Sequence, residues 1–468
     1  MVFSSVLFLF FYLPIVLGVY YITPLKYRNL VLLVVNLFFY GWGEPIYIVI
    51  MFLSIIIDYM NGYYVAKYVD KNKTKAKLFV ICSVVLNLSL LAFFKYYDFF
   101  ALNISSLLGY DLLKPLGLSL PIGISFYTFQ TMSYTIDIYR KQAKAQKSMV
   151  AFGTYVTLFP QLIAGPIVRY NDVDDQLVSR THSVDEFSYG IQRFVIGLAK
   201  KVLLANSIGQ LWDTIIASGV SNLSVLGAWL GILAFAFQIY FDFSGYSDMA
   251  IGLGKMLGFT FLENFNYPYI AKSITDFWRR WHISLSIWFK EYVYIPLGGN
   301  RHGMLRTIIN ISIVWALTGF WHGASWNFLW WGVYFGFILI MEKLFLLKLL
   351  KRFPSFIQHG YTLILVLISW VLFAILDPTV MVEYLKIMFN LTGASLYNST
   401  SLYQLTNYAI LFVILFIAAT PLAKHLYNQW LMIERFSYLI PVVVLVLLVI
   451  CTMYIVDASY NPFLYFRF

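Results

Sequence analysis

Long apolar segments constrain the fold of this chain more than any other feature. Several of them reach the roughly 20 consecutive residues that a helix needs to cross a bilayer. Lipid offers no hydrogen-bond partners to the backbone, so such a segment must be a helix or part of a closed barrel. The sequence lacks the short alternating pattern of a barrel, and only 12% of its residues are charged. We therefore expect an all-α, polytopic integral membrane protein with roughly 10 to 12 transmembrane helices and a single integral domain over residues 1–468.

The basic residues in the loops indicate a topology. They cluster at residues 26–28, 67–77, 140–147, 343–352 and 424–435. Cytoplasmic loops of membrane proteins carry an excess of Lys and Arg, so the net charge of +11 does not require a nucleic-acid partner. Placing these loops in the cytoplasm puts both termini on the outer side of the cell membrane. The first apolar segment has no basic residues before it, which indicates a retained helix rather than a cleaved signal.

Two segments contain residues that interrupt helices within apolar sequence. Residues 120–127 include Pro121 and Gly123, and residues 159–166 include two prolines and a glycine. Irregular backbone at membrane depth is tolerated only where protein or a water-filled cavity covers it. The segments indicate either ordinary proline kinks or re-entrant helices around an internal cavity.

His322 lies in the middle of an apolar run from about residue 307 to 341. Ionisable groups at bilayer depth are costly, and each is a functional-site hypothesis by default. Histidine is also the side chain that exchanges a proton near neutral pH. The sequence therefore predicts that His322 moves a proton within the membrane.

Residues 277–292 combine aromatic and basic side chains with helical spacing. On one continuous helix, the aromatic residues and His282 share a face, and Arg279, Arg280 and Lys290 lie opposite, as in helices at the membrane interface. His282 is then either a structural buried histidine or a member of a site. The cations are either a solvated edge or phosphate ligands, because arginine binds phosphate bidentately.

Asp242 and Asp248 lie inside an apolar segment, where a carboxylate needs partners. They either join structural hydrogen-bond networks or orient a histidine, as carboxylates often do. His282 and His322 could share a metal ion, but the sequence shows no further ligand cluster, so we expect no metal site.

Several blocks of the sequence occur together in a characteristic order. They include Trp321-His322-Gly323-Ala324-Ser325-Trp326 and residues 120–130, 159–169, 240–252, 263–269, 277–286, 294–301 and 463–466. Through these blocks the chain resembles the membrane-bound O-acyltransferase superfamily, most closely its alginate O-acetyltransferase branch. The signature core covers about residues 240–336.

The resemblance implies roles for particular positions. His322 matches the intramembrane catalytic histidine of the family, and His282 matches its second signature position. We expect His322 to act as general base and His282 to orient a group or stabilise an oxyanion. The resemblance also implies helices around a central funnel or tunnel. Supporting candidates are Trp278, Trp281, Trp321, Trp326, Asp242 and Asp248, and candidates for binding the donor phosphates are Arg279, Arg280 and Lys290.

The implied reaction moves acetyl groups from cytoplasmic acetyl-CoA, a co-substrate rather than a bound cofactor, across or within the bilayer. The acceptor is a hydroxyl of an extracytoplasmic polysaccharide or of a partner resembling serine hydrolases. An imidazole base contributes about 10²–10⁴-fold to such a step. Two alternatives stay open. One is the D-alanyl transfer protein of teichoic acid modification, which residues 296–301 argue against. The other is a proton-coupled transporter using Asp242, Asp248 and His322, although no inverted repeat is evident.

Overall fold

The computed structural model describes residues 1–110, 112–163, 165–432, 438–457, 460–462 and 464. Helices form its regular structure, and these residues include no strand. Eight of the described helices are long and apolar enough to cross a bilayer. They are Ile48–Tyr68, Lys73–Leu108, Val184–Ala217, Val225–Met256, Gly303–His322, Ser355–Ala374, Ser399–Ala418 and Ile440–Asp457. The prediction of an all-α, polytopic membrane protein is confirmed.

The number of long apolar helices is below the 10 to 12 spans that the sequence suggested, because several apolar segments form shorter helices. The first is Phe8–Ile22. Arg28–Gly43 and Trp326–Met341 have 16 residues each. Other described helices include Ile124–Tyr139, Met149–Thr157, Asp174–Val178, Ile274–Trp278, Ile283–Phe289, Pro378–Met388 and Leu422–Met432.

The chain divides into two compact units. The first unit comprises residues 1–194 and 246–262, and the second comprises residues 195–245 and 263–468. Helices Val184–Ala199 and Val225–Met256 contribute to both units. A single integral domain over residues 1–468 and a central funnel stay predictions.

The first unit contains both segments in which proline and glycine interrupt the helices. Helix Ile124–Tyr139 begins after Gly123, whose φ of 75° favours glycine. A Cβ at Gly123 would lie 2.5 Å from the carbonyl oxygen of Leu162, so the position also requires close approach. Residues 159–162 form a single helical turn with Pro160 near its start. The breaks that the sequence predicts are present, whereas the cavity around them stays a prediction and Ala164 lies outside the described residues.

The second unit contains a tight helical hairpin that carries His322. Helices Gly303–His322 and Trp326–Met341 are joined by a three-residue loop. A Cβ at Gly319 would lie 2.4 Å from the carbonyl oxygen of Phe328 and 3.1 Å from the Cα of Gly332. Small residues allow this backbone approach, which fixes the end of the first helix against the second.

The structure corrects the expectation of one continuous amphipathic helix over residues 277–292. Two short helices, Ile274–Trp278 and Ile283–Phe289, are separated by a turn in which His282 adopts a left-handed φ of 44°. The turn forms because the loop at residues 264–266 bonds to it. Ile283 N–H donates to the Asn264 carbonyl oxygen at 3.0 Å, and Asn266 N–H donates to that of Arg280 at 2.9 Å. These long-range bonds outweigh the local helical period.

Candidate active site

His322 lies in an aromatic cage at the end of its helix. It is the last residue of helix Gly303–His322 and is buried, with 6% of its surface exposed. Its ring centroid lies 5.0 Å from that of Trp321, 5.0 Å from that of Trp331 and 5.4 Å from that of Phe373. Trp331 and Phe373 present near-perpendicular rings, at 82° and 81°. The cage fixes the orientation of the imidazole by packing.

His282 is held by a polar loop instead. Its side chain is 1% exposed, and its Nδ1 lies 3.2 Å from Oδ1 of Asn264. The same oxygen accepts from Ser284 N–H at 3.1 Å and from Ser284 Oγ at 2.9 Å. A backbone N–H only donates, so the Asn264 atom that faces it is the oxygen, and His282 must donate to that oxygen from Nδ1. The neutral ring then carries its lone pair on Nε2.

Burial reinforces this neutral state. It lowers the pKa of His282 to about 3, because desolvation penalises the imidazolium. Phe243 adds an apolar wall, with its ring 4.7 Å from the imidazole and nearly perpendicular to it. At neutral pH, Nε2 of His282 is therefore a hydrogen-bond acceptor and not a donor.

Trp321 connects the two histidines. Its ring centroid lies 6.2 Å from that of His282 and 5.0 Å from that of His322. The structure therefore brings His282, Trp321 and His322 into one cluster, although the two histidines are 40 residues apart in the chain.

The other predicted tryptophans differ in their surroundings. Trp281 packs among aromatic rings, including those of Phe265 and Trp370 at 5.1 and 5.0 Å. Trp278 packs against neighbouring rings and also lines a cavity. Trp326 is 47% exposed. The tryptophan that contacts His322 from the second helix of the hairpin is Trp331, which the sequence reasoning missed. The glycines at positions 319 and 332 were the signal that a residue near 330 would face His322.

The two carboxylates pair with cations within their own units. In the second unit, Asp242 lies 2.8 Å from Lys201 Nζ and accepts from Leu464 N–H at 2.9 Å. In the first unit, Asp248 lies 2.6 Å from Arg193. Both roles that the sequence left open for these carboxylates stay predictions. Leu464 is the one described member of the block 463–466, whose other residues lie outside the described residues.

A cavity of about 640 Å³ lies in the second unit beside the loop that carries His282. Apolar side chains such as Leu285, Phe289 and Val314 line part of it. Its cationic lining residues are Arg279, Lys290, Lys343 and Lys348. From the sequence, Lys343 and Lys348 are predicted only as part of a cytoplasmic basic cluster, because more than 50 residues separate them from Arg279 in the chain.

Arg280 differs from its neighbour Arg279. Its Nε donates to Asp276 at 2.9 Å and its Nη1 to the carbonyl oxygen of Asn266 at 3.2 Å, and it is not among the residues that line the cavity. Glu342 supports the same region from the cavity wall. Its carboxylate accepts from Ile274 N–H at 2.7 Å and from Thr275 N–H at 2.8 Å, which fixes the start of helix Ile274–Trp278.

Within the described residues, no three His, Cys, Asp or Glu side chains lie together as a metal site would require. The groups that the site does bring together are two imidazoles and indole N–H groups, and a cavity with cationic lining lies beside them.

Residues 64–385 match the family model described as MBOAT, the membrane-bound O-acyltransferase family. The chain belongs to this family and is a multi-pass membrane O-acyltransferase. It is 43% identical over 376 residues to the probable alginate O-acetylase AlgI of Pseudomonas aeruginosa, covering 80% of this chain and 72% of that protein. It is 35% identical over 433 residues to the peptidoglycan O-acetyltransferase of Helicobacter pylori, covering 85% and 81%. It is 28% identical over 257 residues to the teichoic acid D-alanyltransferase of Bacillus subtilis, covering 53% of this chain and 65% of that protein.

Proposed function

We propose that this enzyme transfers acetyl groups from cytoplasmic acetyl-CoA to hydroxyl groups on the outer side of the membrane. The observation that carries the proposal is the caged imidazole of His322 beside the indole of Trp331. The buried Nε1 of Trp331 has no hydrogen-bond acceptor among the described residues. A base and an uncommitted donor next to each other are what acyl transfer to an alcohol requires.

The cavity supports the assignment of the donor. Acetyl-CoA combines a flexible, weakly polar pantetheine arm with several phosphates. The lining offers apolar side chains together with Arg279, Lys290, Lys343 and Lys348. Cations bind phosphate through charge-assisted hydrogen bonds. Lys343 and Lys348 lie in the helical segments Glu342–Leu346 and Leu347–Leu350. The charge pattern assigns this basic cluster to the cytoplasm, where this donor would enter.

The proposed reaction uses His322 as the general base. The acceptor O–H gives its proton to the imidazole, and its oxygen attacks the thioester carbonyl carbon. A tetrahedral oxyanion forms, and the indole N–H of Trp331 donates to it. The C–S bond then breaks, an ester forms, and CoA leaves as a thiolate. A thiol with a pKa near 8.5 is a good leaving group and needs little protonation, so activation of the hydroxyl is the harder task. The imidazolium returns its proton to the thiolate or to water.

His282 has a different part in this proposal. In the neutral tautomer set by Asn264, Nε2 is an acceptor, so it does not serve as an oxyanion donor. It orients a group by accepting a hydrogen bond, either from the incoming hydroxyl or from another donor of the cluster. Of the two predicted roles of His282, orienting a group and stabilising an oxyanion, this geometry supports the first.

The acceptor is proposed from the relatives and the topology. The named relatives act on alginate and on peptidoglycan, both of which are hydroxyl-bearing polymers. Both termini are proposed to lie on the outer side. The acceptor is then a polysaccharide hydroxyl or the hydroxyl of a serine-hydrolase-like partner that passes the acetyl group on.

Transfer of labelled acetyl groups tests the proposal. The purified chain is reconstituted in proteoliposomes with radiolabelled acetyl-CoA inside and alginate or peptidoglycan fragments outside, with and without a co-purified partner. We expect labelled ester, or labelled partner, with wild type and with His302→Ala, a control that removes an exposed loop histidine. His322→Ala should give neither product. Absence of labelled ester or partner in every wild-type sample contradicts the proposal.

The same vesicles distinguish the alternatives. A D-alanyl transfer protein would take label from D-alanyl carrier protein and not from acetyl-CoA. For a transporter, His322→Ala would leave acetylation intact and abolish uptake of a solute into the vesicles. Lower identity over about half of the chain argues against the D-alanyl assignment.

A further inference from the structure

A cluster of basic side chains lies in the first unit, where the proposed reaction assigns no role. Arg28 begins the helix that follows Phe8–Ile22, and Arg180 and His182 lie just before helix Val184–Ala199. Nη1 of Arg28 lies 3.3 Å from each ring nitrogen of His182. Among the described residues neither arginine forms an ion pair with a carboxylate. Basic groups this close together repel one another unless an anion compensates them.

Tyr20 organises the cluster. Its buried hydroxyl donates to the carbonyl oxygen of Leu257 at 2.8 Å. Because its one O–H is donated to Leu257, the Tyr20 oxygen accepts from Arg180 Nε at 3.2 Å and from His182 Nε2 at 2.9 Å. Nδ1 of the neutral His182 ring then accepts from Arg28. The cations are therefore held in position before any ligand arrives.

Aromatic rings hold the two guanidinium groups in place. The Arg28 guanidinium lies 4.9 Å from the ring centroid of Tyr20 and 5.4 Å from that of Tyr21. The Arg180 guanidinium lies 4.6 Å from that of Phe259. Planar stacking of arginine on aromatic rings leaves the N–H edge available for an anion. Nη2 of Arg180 donates to no described residue, whereas its Nη1 donates to Asn29 at 2.8 Å.

The backbone at Gly258 makes room for His182. Gly258 has a φ of 81°, and a Cβ there would lie 2.9 Å from Nε2 of His182. Burial lowers the pKa of His182, and the positive charges of Arg28 and Arg180 lower it further. An anion between the three groups would reverse the last two effects.

We propose that Arg28, Arg180 and His182 bind the phosphate group of an anionic phospholipid. Phosphate suits the fork of arginine donors. Apolar side chains beside the cluster favour a lipid over a soluble phosphate. Ile22 is 86% exposed and Leu25 is 69% exposed, at the end of the apolar segment that precedes Arg28. The cluster therefore lies where acyl chains can cover apolar surface while the headgroup meets the cations.

Thermal unfolding in detergent tests the proposal with three probes: phosphatidylglycerol, zwitterionic phosphatidylcholine and inorganic phosphate. We expect saturable stabilisation by phosphatidylglycerol, with half-saturation far below that for inorganic phosphate, and little effect of phosphatidylcholine. The variant Arg28→Gln/Arg180→Gln should need about 25-fold more phosphatidylglycerol, because each arginine at a membrane surface contributes about fivefold and the two contributions multiply.

Lys71→Gln/Lys73→Gln is the matched control. It removes the same charge from exposed positions of the first unit. Its half-saturation should stay within about threefold of wild type, because exposed charges outside the site are screened by salt. Equal weakening in this control, or equal protection by inorganic phosphate, overturns the proposal. If the double arginine variant does not purify as a single species, Arg180→Lys takes its place. This variant keeps the positive charge and removes the planar, two-pronged guanidinium donor. An unchanged response to phosphatidylglycerol in Arg180→Lys would then count against the site.

Discussion

The two histidines of the candidate site are held in opposite ways. His322 ends a regular helix and lies among aromatic rings, with 6% of its surface exposed. His282 lies in a left-handed turn, is 1% exposed, and is bonded to an amide. Aromatic rings pack around the first imidazole. Hydrogen bonding fixes the tautomer of the second. We propose on this basis that His322 moves the proton and that His282 orients a group.

Replacing His322 should lower activity more than replacing any other residue of the site. A smaller effect would contradict the contrast between the two histidines. We expect His322→Ala to lower kcat by about 10²–10⁴-fold, the usual contribution of a positioned base. Initial rates of acetyl transfer at saturating acetyl-CoA measure this change. His302→Ala should stay close to wild type. Equal losses for His322→Ala and His282→Ala would remove the proposed division of labour.

Variants of Trp331 test whether the aromatic cage of His322 donates a hydrogen bond in the reaction in addition to packing around the imidazole. Trp331→Phe keeps an aromatic ring and deletes the N–H, and we expect kcat to fall by about 10²–10³-fold, as for loss of an oxyanion donor. Trp326→Phe is the control, because Trp326 lies on the same helix but is 47% exposed. Stability measured by thermal unfolding should change little in either variant. A normal kcat for Trp331→Phe would limit this residue to packing.

Asn264 tests the polar support of His282. Asn264→Ala removes the acceptor that sets the tautomer, and we expect kcat to fall by about 10- to 100-fold, a common loss when an orienting partner is removed. Such a loss is also compatible with a structural defect, so a second variant is needed.

Asn264→Asp provides that variant through its pH profile. In wild type the pKa of His282 is lowered to about 3 by burial, so the ring stays neutral in ordinary assays. A carboxylate at position 264 would stabilise the imidazolium and raise this pKa. Activity of Asn264→Asp should therefore fall as pH decreases through the raised pKa and recover at higher pH. An unchanged profile of kcat/KM would show that His282 does not act through its neutral form.

The same contrast explains what the sequence could predict. The membrane helices and the place of His322 in an apolar segment follow from local composition. The surroundings of His282 depend on Asn264, 18 residues earlier, whose bonds replace a helix that the local period favoured. Trp331 and the cavity lysines were missed for the same reason. Their roles arise from chain segments that meet only in the folded protein.

Arg279 and Arg280 provide a second comparison, in the proposed binding of the acetyl donor. The change expected here is the smallest. Arg279 lines the cavity and is exposed, whereas Arg280 is committed to Asp276 and Asn266. We expect Arg279→Gln to raise the KM for acetyl-CoA by about threefold to tenfold with little change in kcat, because an exposed charge contributes modestly to binding. Arg280→Gln should leave KM unchanged. A thioester donor without phosphates should show no difference between wild type and Arg279→Gln. A raised KM for that donor as well would mean that Arg279 shapes the cavity and does not bind phosphate.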